Sequence, residues 1–248
     1  LIGFFYWIFQ QPSIALIKWK ADKVLLTSEP DAARFITKKR PRNDIIVIQG
    51  GVDITESEAY LESGRVIPVA ERGYDACFVG RFHYQKGVIE LIKIWEYVCR
   101  GKSDAKLAMI GVGPLEREAQ REIERRKLGS NIELLGFKDG PEKYEIFKQS
   151  KIMVHPATYD SGGMAMAGGL AWGLPGVSFD LDALKTYYPQ GVLKTPLGDL
   201  EKFAANIVRL LEDGELYELV SKQARALITK VWDWNKRLKD LPNQLFNN

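Results

Sequence analysis

The stretch ACFVGRFHYQKGVIELIKIWEYVCR, residues 76–100, carries two hydrophobic patterns in one run. Its first four residues are continuously apolar, which is typical of a strand buried on both faces. From Val88 onward, apolar side chains recur at positions 91, 92, 95 and 98, the spacing of one face of a helix. Gly80, Arg81 and Lys86 lie between the two patterns. The stretch therefore predicts a buried strand followed by an amphipathic helix.

The same alternation of strand and helix patterns continues along most of the chain. Predicted strands cover residues 21–29, 44–53, 76–81, 105–113, 131–136, 151–156 and 176–180. Predicted helices cover residues 30–39, 87–100, 115–127, 141–150 and 200–214. Residues 54–73 show no strong period and are interpreted as containing a linker around ESGRVIPVAERGYD, residues 62–75. Alternating elements with short connections predict an α/β fold built on a Rossmann-like, doubly wound parallel sheet.

Composition and charge are those of an ordinary globular protein. The 248 residues are 46% hydrophobic and 27% charged, and the net charge is only +3. Lysines and arginines are spread along the chain, which disfavours nucleic acid as a partner. Cys77 and Cys99 lie in apolar segments without metal-ligand spacing. This pattern predicts buried thiols in a reducing compartment, with neither a disulfide nor a zinc site.

The first 19 residues are largely apolar, but the unbroken run ends at Gln10, Gln11 and Pro12. A membrane-spanning helix needs about 20 apolar residues, and no small-residue site for signal peptide cleavage follows. We interpret the segment as a helix buried against another domain. The alternative is a peripheral contact with a membrane surface.

Candidate functional residues directly follow the predicted strands. In a doubly wound sheet, ligands bind at the carboxyl ends of the strands. The positions there are Gly80 and Arg81, residues 111–114, Gly136 and Phe137, and residues 155–163. We expect the chemistry of the protein at this edge of the sheet.

Arg81 and Lys86 form the first candidate site. Arg81 follows a strand and Lys86 precedes a helix, so the two cations could hold a diphosphate, the arginine by a bidentate fork and the lysine as a point charge. The alternative is a pair of solvated surface charges.

Two glycine-rich segments form the second candidate site. GVGP at 111–114 and SGGMAMAGGLAWG at 161–173 each lead into a helical pattern. Their backbone amides could face an anion or a nucleotide, because glycine allows a ligand to approach closely. The alternatives are an ordinary tight turn in the first segment and, in the second, a helix whose small residues pack against the sheet.

In its order of motifs the chain resembles a large family of retaining nucleotide-sugar glycosyltransferases. These enzymes have the two-Rossmann GT-B fold and include glycogen-synthase-like and phosphatidylinositol-mannosyltransferase-like members. The matching segments are ADKVLLTSE with VIQGGVD, FVGRFHYQKGV, AMIGVGP, ELLGF, HPATYDSGGMAMAGGLAWGLPGV and TPLGDLEKFAANIVRLLED. Each motif is loose, but their order and spacing together are specific from about residue 21 to 215.

The resemblance implies a role for particular residues. Arg81, Lys86 and Asp160 correspond to catalytic residues: the two cations stabilise the departing diphosphate, and the acid lies near the donor sugar and phosphate. Further positions correspond to the donor-binding surface: Gly80, His83, Gly111, Gly113, Pro114, Phe137, Ser161, Gly162, Gly163, Met164 and Gly168.

Two positions depart from the family's Glu-x7-Glu element, which maps onto Asp160 and Gly168. Aspartate keeps the charge of the first acid with a side chain one methylene shorter. Gly168 lacks the second acid, which in the family hydrogen-bonds the ribose hydroxyls. Losing those hydrogen bonds is expected to weaken donor binding by about 1–3 kcal/mol, roughly 5- to 150-fold. Three explanations remain open from the sequence: another residue takes this role, the donor site is impaired, or position 168 has been changed from its natural residue.

The resemblance also predicts the domain organisation. Residues 1–70 resemble the end of the family's N-terminal acceptor-side Rossmann domain, and residues 71–225 resemble the donor-binding domain. Residues 226–248 are predicted to form a C-terminal helix that packs back on the N-terminal part. Since most of the N-terminal domain is missing, and with it the catalytic His or Asp of some relatives, we expect the sequence to be a fragment.

The function implied is a hexosyl transfer from a UDP- or GDP-sugar to a saccharide or lipid-linked acceptor, with retention of configuration and without metal or cofactor. The implied location is cytoplasmic, with a peripheral position at the membrane face as an option. Asp180 and Asp182 match a D-x-D metal motif of a different glycosyltransferase fold, and we do not expect metal there. His83 and His155 lack a third partner for a metal.

Two other functions remain open from the sequence. The first is a degenerate, non-catalytic module that binds nucleotide or a partner protein. The missing acid at Gly168 and the short N-terminal region support it. A nucleotide-sugar epimerase of the same fold is disfavoured, because its acid and histidine clusters are absent.

Overall fold

The computed structural model describes residues 2–27, 29–39, 41–48 and 50–239. Parts of the predicted elements at Ser28, Gln49 and residues 240–248 lie outside these ranges. The chain divides into two compact units, one of residues 1–50 with 236–248 and one of residues 51–235. This boundary lies 20 residues before the predicted one at residue 70, and residues 226–235 belong to the larger unit.

Among its described residues, the smaller unit contains helical segments and a two-stranded parallel sheet. Its elements are α1 (Ile2–Lys20), β1 (Val24–Leu26), α2 (Glu29–Ala32), a 3-10 turn (Arg42–Asp44) and β2 (Ile45–Val47). The predicted helix over 30–39 is wrong in length, because α2 ends at Ala32. The turn that follows buries Phe35 against Val24 and Ile45, so tertiary burial overrides the helical pattern.

Helix α1 has large exposed apolar side chains. Trp7, Phe9 and Trp19 are 57%, 75% and 72% exposed. Among the described helices, none is long and apolar enough to cross a membrane. The expected burial of this segment against another domain stays a prediction.

The larger unit is built on a six-stranded parallel sheet in the order β5-β4-β3-β6-β7-β8. The strands are β3 (Tyr74–Val79), β4 (Leu107–Ile110), β5 (Ile132–Leu134), β6 (Ser150–His155), β7 (Gly176–Phe179) and β8 (Val192–Thr195). The helices are α3 (Thr55–Glu62), α4 (Val88–Gly101), α5 (Glu116–Arg125), α6 (Gly140–Lys148), α7 (Met164–Ala171), α8 (Asp182–Tyr187), α9 (Leu200–Glu212) and α10 (Gly214–Leu227). Two 3-10 turns (Val69–Glu71, Tyr84–Lys86) and a π-helix (Ile228–Trp232) complete this unit. The predicted α/β fold with a doubly wound parallel sheet is confirmed.

The sheet is covered on both faces, which explains its apolar strands. Phe78 and Val154 face one core with α4 and α9, whereas Cys77 and Met153 face another core with α7 and α10. The apolar positions predicted for α4 are fully buried, together with Ile94. Burial against the sheet thus stabilises the helix that the opening stretch predicts.

Residues 54–73 contain one helix that the sequence did not predict, α3, followed by an irregular segment where the linker was predicted. Asp53 accepts hydrogen bonds from the backbone and the hydroxyl of Thr55 at 3.0 and 2.7 Å, and α3 begins there. Only the segment after α3 is irregular, apart from its 3-10 turn. These bonds form an Asx turn directly before α3, and the Asp-x-Thr pair is the sequence signal for it.

Candidate functional site

The carboxyl ends of four strands meet at one edge of the sheet. Because β5, β4, β3 and β6 are neighbours, the residues that follow them are brought side by side. The amide of Gly80 donates to Ile110 at 3.0 Å, and that of Gly111 donates to Gly136 at 2.8 Å. The structure therefore places the predicted positions after β3, β4 and β5 along a continuous edge.

Two glycines allow the loops at this edge to approach each other. A Cβ on Gly111, at φ +144°, would lie 1.9 Å from the carbonyl oxygen of Gly80. A Cβ on Gly87, at φ +67°, would lie 1.9 Å from the carbonyl oxygen of Pro156. Gly87 thereby lets the turn that carries Lys86 lie directly against the loop that follows β6.

Asp160 is the centre of the site and is held by four groups. Its Oδ2 lies 2.6 Å from Nζ of Lys86 and 3.0 Å from Nε2 of His155. Its Oδ1 accepts the amides of Gly162 and Gly163 at 3.1 and 2.8 Å. The side chain is only 9% exposed. A carboxylate so buried is stable only because these donors replace water.

The same contacts determine the ionisation of Asp160. Burial favours the protonated carboxyl group, but the hydrogen bond and charge of His155, with the hydrogen bonds of Lys86 and Gly163, outweigh it. The pKa of Asp160 is therefore well below its usual value. The group is an anion throughout the neutral range.

Tyr188 anchors the loop that follows Asp160, and no motif in the sequence predicts this role. The Tyr188 hydroxyl donates to the carbonyl of Gly163 at 2.7 Å. Its buried ring stacks on Trp232 with centroids 5.1 Å apart, and Leu184 packs beside Gly163. Tyr188 directly follows α8 and lies outside the glycine-rich stretch of residues 155–176.

Arg81 has no ion-pair partner within the described part of the chain, and its side chain is exposed. His83 packs its ring 4.1 Å from that of Tyr84, and its Nδ1 is buried without a hydrogen-bond partner among the described residues. Phe137 is 71% exposed and Met164 is 44% exposed. Arg81 is thus a cation available to a ligand, whereas Lys86 is already paired.

The start of α7 differs from the expectation that its loop amides are open to a phosphate. The amides of Gly162 and Gly163 are taken by Asp160, so the glycines serve first to wrap the loop around its own carboxylate. Ser161 is exposed and Gly168 is half-buried on α7. A Cβ on Gly168 would meet only Phe147, at an ordinary 3.8 Å. The position therefore has room for a side chain.

The Asp180 and Asp182 pair is engaged by a lysine. Nζ of Lys185 lies 3.5 Å from Asp180 and 3.3 Å from Asp182. Within the described ranges, no group of three or more histidine, cysteine or acidic side chains is arranged to hold a metal ion. Cys77 is a buried free thiol and Cys99 a partly buried one.

Comparison with known proteins defines the family. The family model for glycosyl transferases group 1 matches residues 62–227. The chain therefore belongs to the group 1 glycosyl transferases. It is 26% identical over 169 residues to a poly(glycerol-phosphate) alpha-glucosyltransferase of Bacillus subtilis, covering 66% of this chain and 25% of the relative. It is 30% identical over 138 residues to the O-antigen chain mannosyltransferase C of Escherichia coli, covering 55% of this chain and 35% of the relative.

The fold agrees with that assignment. The crystal structure of Anabaena Alr3699/HepE in complex with UDP-glucose superposes with a TM-score of 0.77 at 17% identity, over 96% of this chain and 67% of that one. The sheet and its helices are thus those of a GT-B glycosyltransferase. The matches extend over well under two thirds of the two curated relatives.

Proposed function

We propose that this chain binds the diphosphate of a nucleotide-sugar donor at the carboxyl edge of its six-stranded sheet, as the donor-side part of a glycosyltransferase. The observation that carries the proposal is the pair of cations in the loop between β3 and α4, one exposed and the other bound to a buried acid. Arg81 is exposed and unpaired within the described residues, whereas Lys86 forms an ion pair with Asp160. An incoming diphosphate would find one free cation and one that can exchange its partner.

The chemistry follows from where charge develops. The barrier to sugar transfer is departure of the nucleoside diphosphate from an oxocarbenium-like centre. Arg81 and Lys86 would stabilise the negative charge on the leaving phosphate by electrostatic preorganisation, without a metal ion. The described edge offers no well-placed nucleophile besides the heavily bonded Asp160. We infer a front-face reaction in which the leaving phosphate assists the acceptor and the anomeric configuration is retained.

The donor and acceptor are proposed by class. A relative named as a glucosyltransferase, one named as a mannosyltransferase and a neighbour bound to UDP-glucose support a UDP- or GDP-hexose donor. The proposed acceptor is a saccharide or a lipid-linked acceptor. Exposed Trp7, Phe9 and Trp19 beside Lys18 and Lys20 on α1 favour a peripheral position at the cytoplasmic membrane face.

A second function is favoured by one observation, the glycine at 168. Without a carboxylate there, the chain could act as a non-catalytic module that binds nucleotide or a partner protein. Calorimetric titration with UDP and GDP tests both proposals on the wild type and on Gly168→Glu. Binding by the wild type supports a working donor site, and binding only by Gly168→Glu supports a disabled one. No binding by either variant contradicts donor binding and leaves the interaction module.

A further inference from the structure

His155 lies beneath Asp160 at the end of β6 and is 1% exposed. Its Nε2 is 3.0 Å from the same carboxylate oxygen, Oδ2, that Lys86 contacts. Nothing in the proposed chemistry so far uses this imidazole. A buried histidine bonded to the central acid of a candidate site is the strongest unexplained group in the larger unit.

The neighbours of His155 determine which nitrogen carries a proton. An ionised carboxylate only accepts hydrogen bonds, so Nε2 must be the donor. The other nitrogen, Nδ1, is buried without a hydrogen-bond partner among the described residues, and so is the hydroxyl of Ser178. His155 and Ser178 are Cα partners in the β6–β7 register, so their side chains leave the same face of the sheet. No hydrogen bond joins these two side chains in the described structure, so the contact with Asp160 is what fixes the proton on Nε2.

We propose that His155 is a positioning residue for Asp160: its Nε2–H holds Oδ2 in place while Lys86 moves from that oxygen to the diphosphate of the donor. The inference rests on the proposed donor binding. His155 does not touch the reacting atoms in this account. It acts through Asp160.

The need for such a residue follows from burial. When Lys86 turns toward a diphosphate, Asp160 loses its ion-pair partner at the moment a second anion arrives. The amides of Gly162 and Gly163 donate to Oδ1 and form no hydrogen bond with Oδ2. A buried carboxylate oxygen without a donor is costly. The hydrogen bond from His155 keeps Oδ2 satisfied, and so allows Lys86 to change partner.

Nuclear magnetic resonance of the imidazole nitrogens tests the proposal, because the chain has only two histidines. The protein is labelled with 15N-histidine, and His83→Gln serves solely to assign the two rings. We expect a protonated Nε2 on His155 in the free protein, and a shift of that resonance at saturating UDP or GDP as Lys86 departs. A bare Nε2, or a resonance that stays unchanged at saturation, overturns the proposal.

Two variants separate positioning from mere packing. His155→Gln keeps a donor, whereas His155→Phe fills the space without one. We expect the Phe variant to bind UDP or GDP about tenfold or more weakly and the Gln variant to recover most of the affinity, in line with a lost hydrogen bond to a charged group. Equal affinities for wild type and Phe would contradict the proposal, and so would equal losses in both variants.

The outcomes also distinguish this inference from the proposed function. If the wild type binds neither UDP nor GDP in calorimetry, donor binding fails, and the exchange of Lys86 fails with it. If the wild type binds nucleotide and the His155 signals do not respond, only the positioning role fails. The resonance measurement uses the wild-type protein, so it remains decisive if His155→Phe does not fold.

Discussion

Nζ of Lys86 lies 2.6 Å from Oδ2 of Asp160, although the two residues are 74 positions apart in the sequence. The lysine is 31% exposed and the carboxylate 9%. One partner of this ion pair can therefore reach a ligand, while the other is fixed by the loop around it. The proposed exchange of partners therefore has Lys86 move and Asp160 stay in place.

The first prediction concerns stability and pH. The folded-state pKa of Asp160 lies below the value of about 3.9 expected in the unfolded chain. Its ionised form therefore contributes stability above that value, and the contribution is lost as the pH falls. We expect Asp160→Asn to lower the free energy of unfolding by about 2 kcal/mol at pH 7. The difference in the free energy of unfolding between variant and wild type should be constant above about pH 5 and become smaller below about pH 4. Urea unfolding at several pH values measures it.

Asp139 provides the matched control. It also pairs with a lysine, Lys143, at 2.6 Å, but its side chain is 70% exposed. Asp139→Asn should change stability little, because solvent screens an exposed pair. If the two asparagine variants behave alike, burial does not govern the Asp160 contacts.

The second prediction concerns the anchor under the loop. Tyr188→Phe removes the hydrogen bond to the carbonyl of Gly163 and keeps the ring that stacks on Trp232. We expect a loss of about 1 kcal/mol in the free energy of unfolding, and weaker UDP or GDP binding because the Asp160 loop loosens. Thermal unfolding and calorimetry report the two effects.

Tyr217→Phe controls for the loss of a partly buried hydroxyl. Tyr217 donates to the carbonyl of Lys151 at 2.9 Å, at the start of β6 and so at the opposite end of that strand from His155. Its loss should lower stability without changing nucleotide affinity. An equal loss of affinity in both tyrosine variants would refute a local role for Tyr188.

The third prediction concerns the glycine that replaces the second acid. Gly168→Glu should strengthen UDP or GDP binding by roughly 5- to 150-fold, since a carboxylate there can accept from the ribose hydroxyls. Only Phe147 faces the new Cβ, so the variant should fold. Gly168→Gln is the control, because it brings the same gain in helix propensity without the charge. An equal gain with glutamine would assign the effect to the helix and not to the acid.

The fold follows from the sequence where local pattern and tertiary burial agree. The spacing of apolar residues in α4 predicts its buried face because one side of that helix packs on the sheet. Strand β8 was not predicted, since three of its four residues are only partly buried and Lys194 interrupts the apolar pattern. Helix α2 was predicted too long because Phe35 turns inward.

The sequence predicts which positions form the candidate site but not the contacts among them. The positions after the strands are predictable, because parallel strands deliver their carboxyl ends to one edge. The contacts among them are not. Lys86, His155 and Tyr188 reach the Asp160 loop from three separate segments, and no spacing rule joins them. The two loop amides satisfy the protein's own carboxylate, which a pattern of glycines cannot reveal.

The central claim is that the two cations, Arg81 and Lys86, hold the donor diphosphate. Calorimetric titration of wild type, Arg81→Ala and Lys86→Ala with UDP and GDP tests it most directly, with Lys185→Ala as a control for an exposed lysine paired elsewhere. We predict that the wild type binds at least one of the two nucleotides. Each site variant should bind about tenfold or more weakly, and the Lys185→Ala variant should bind as the wild type does. Unchanged affinity in both Arg81→Ala and Lys86→Ala would contradict the account.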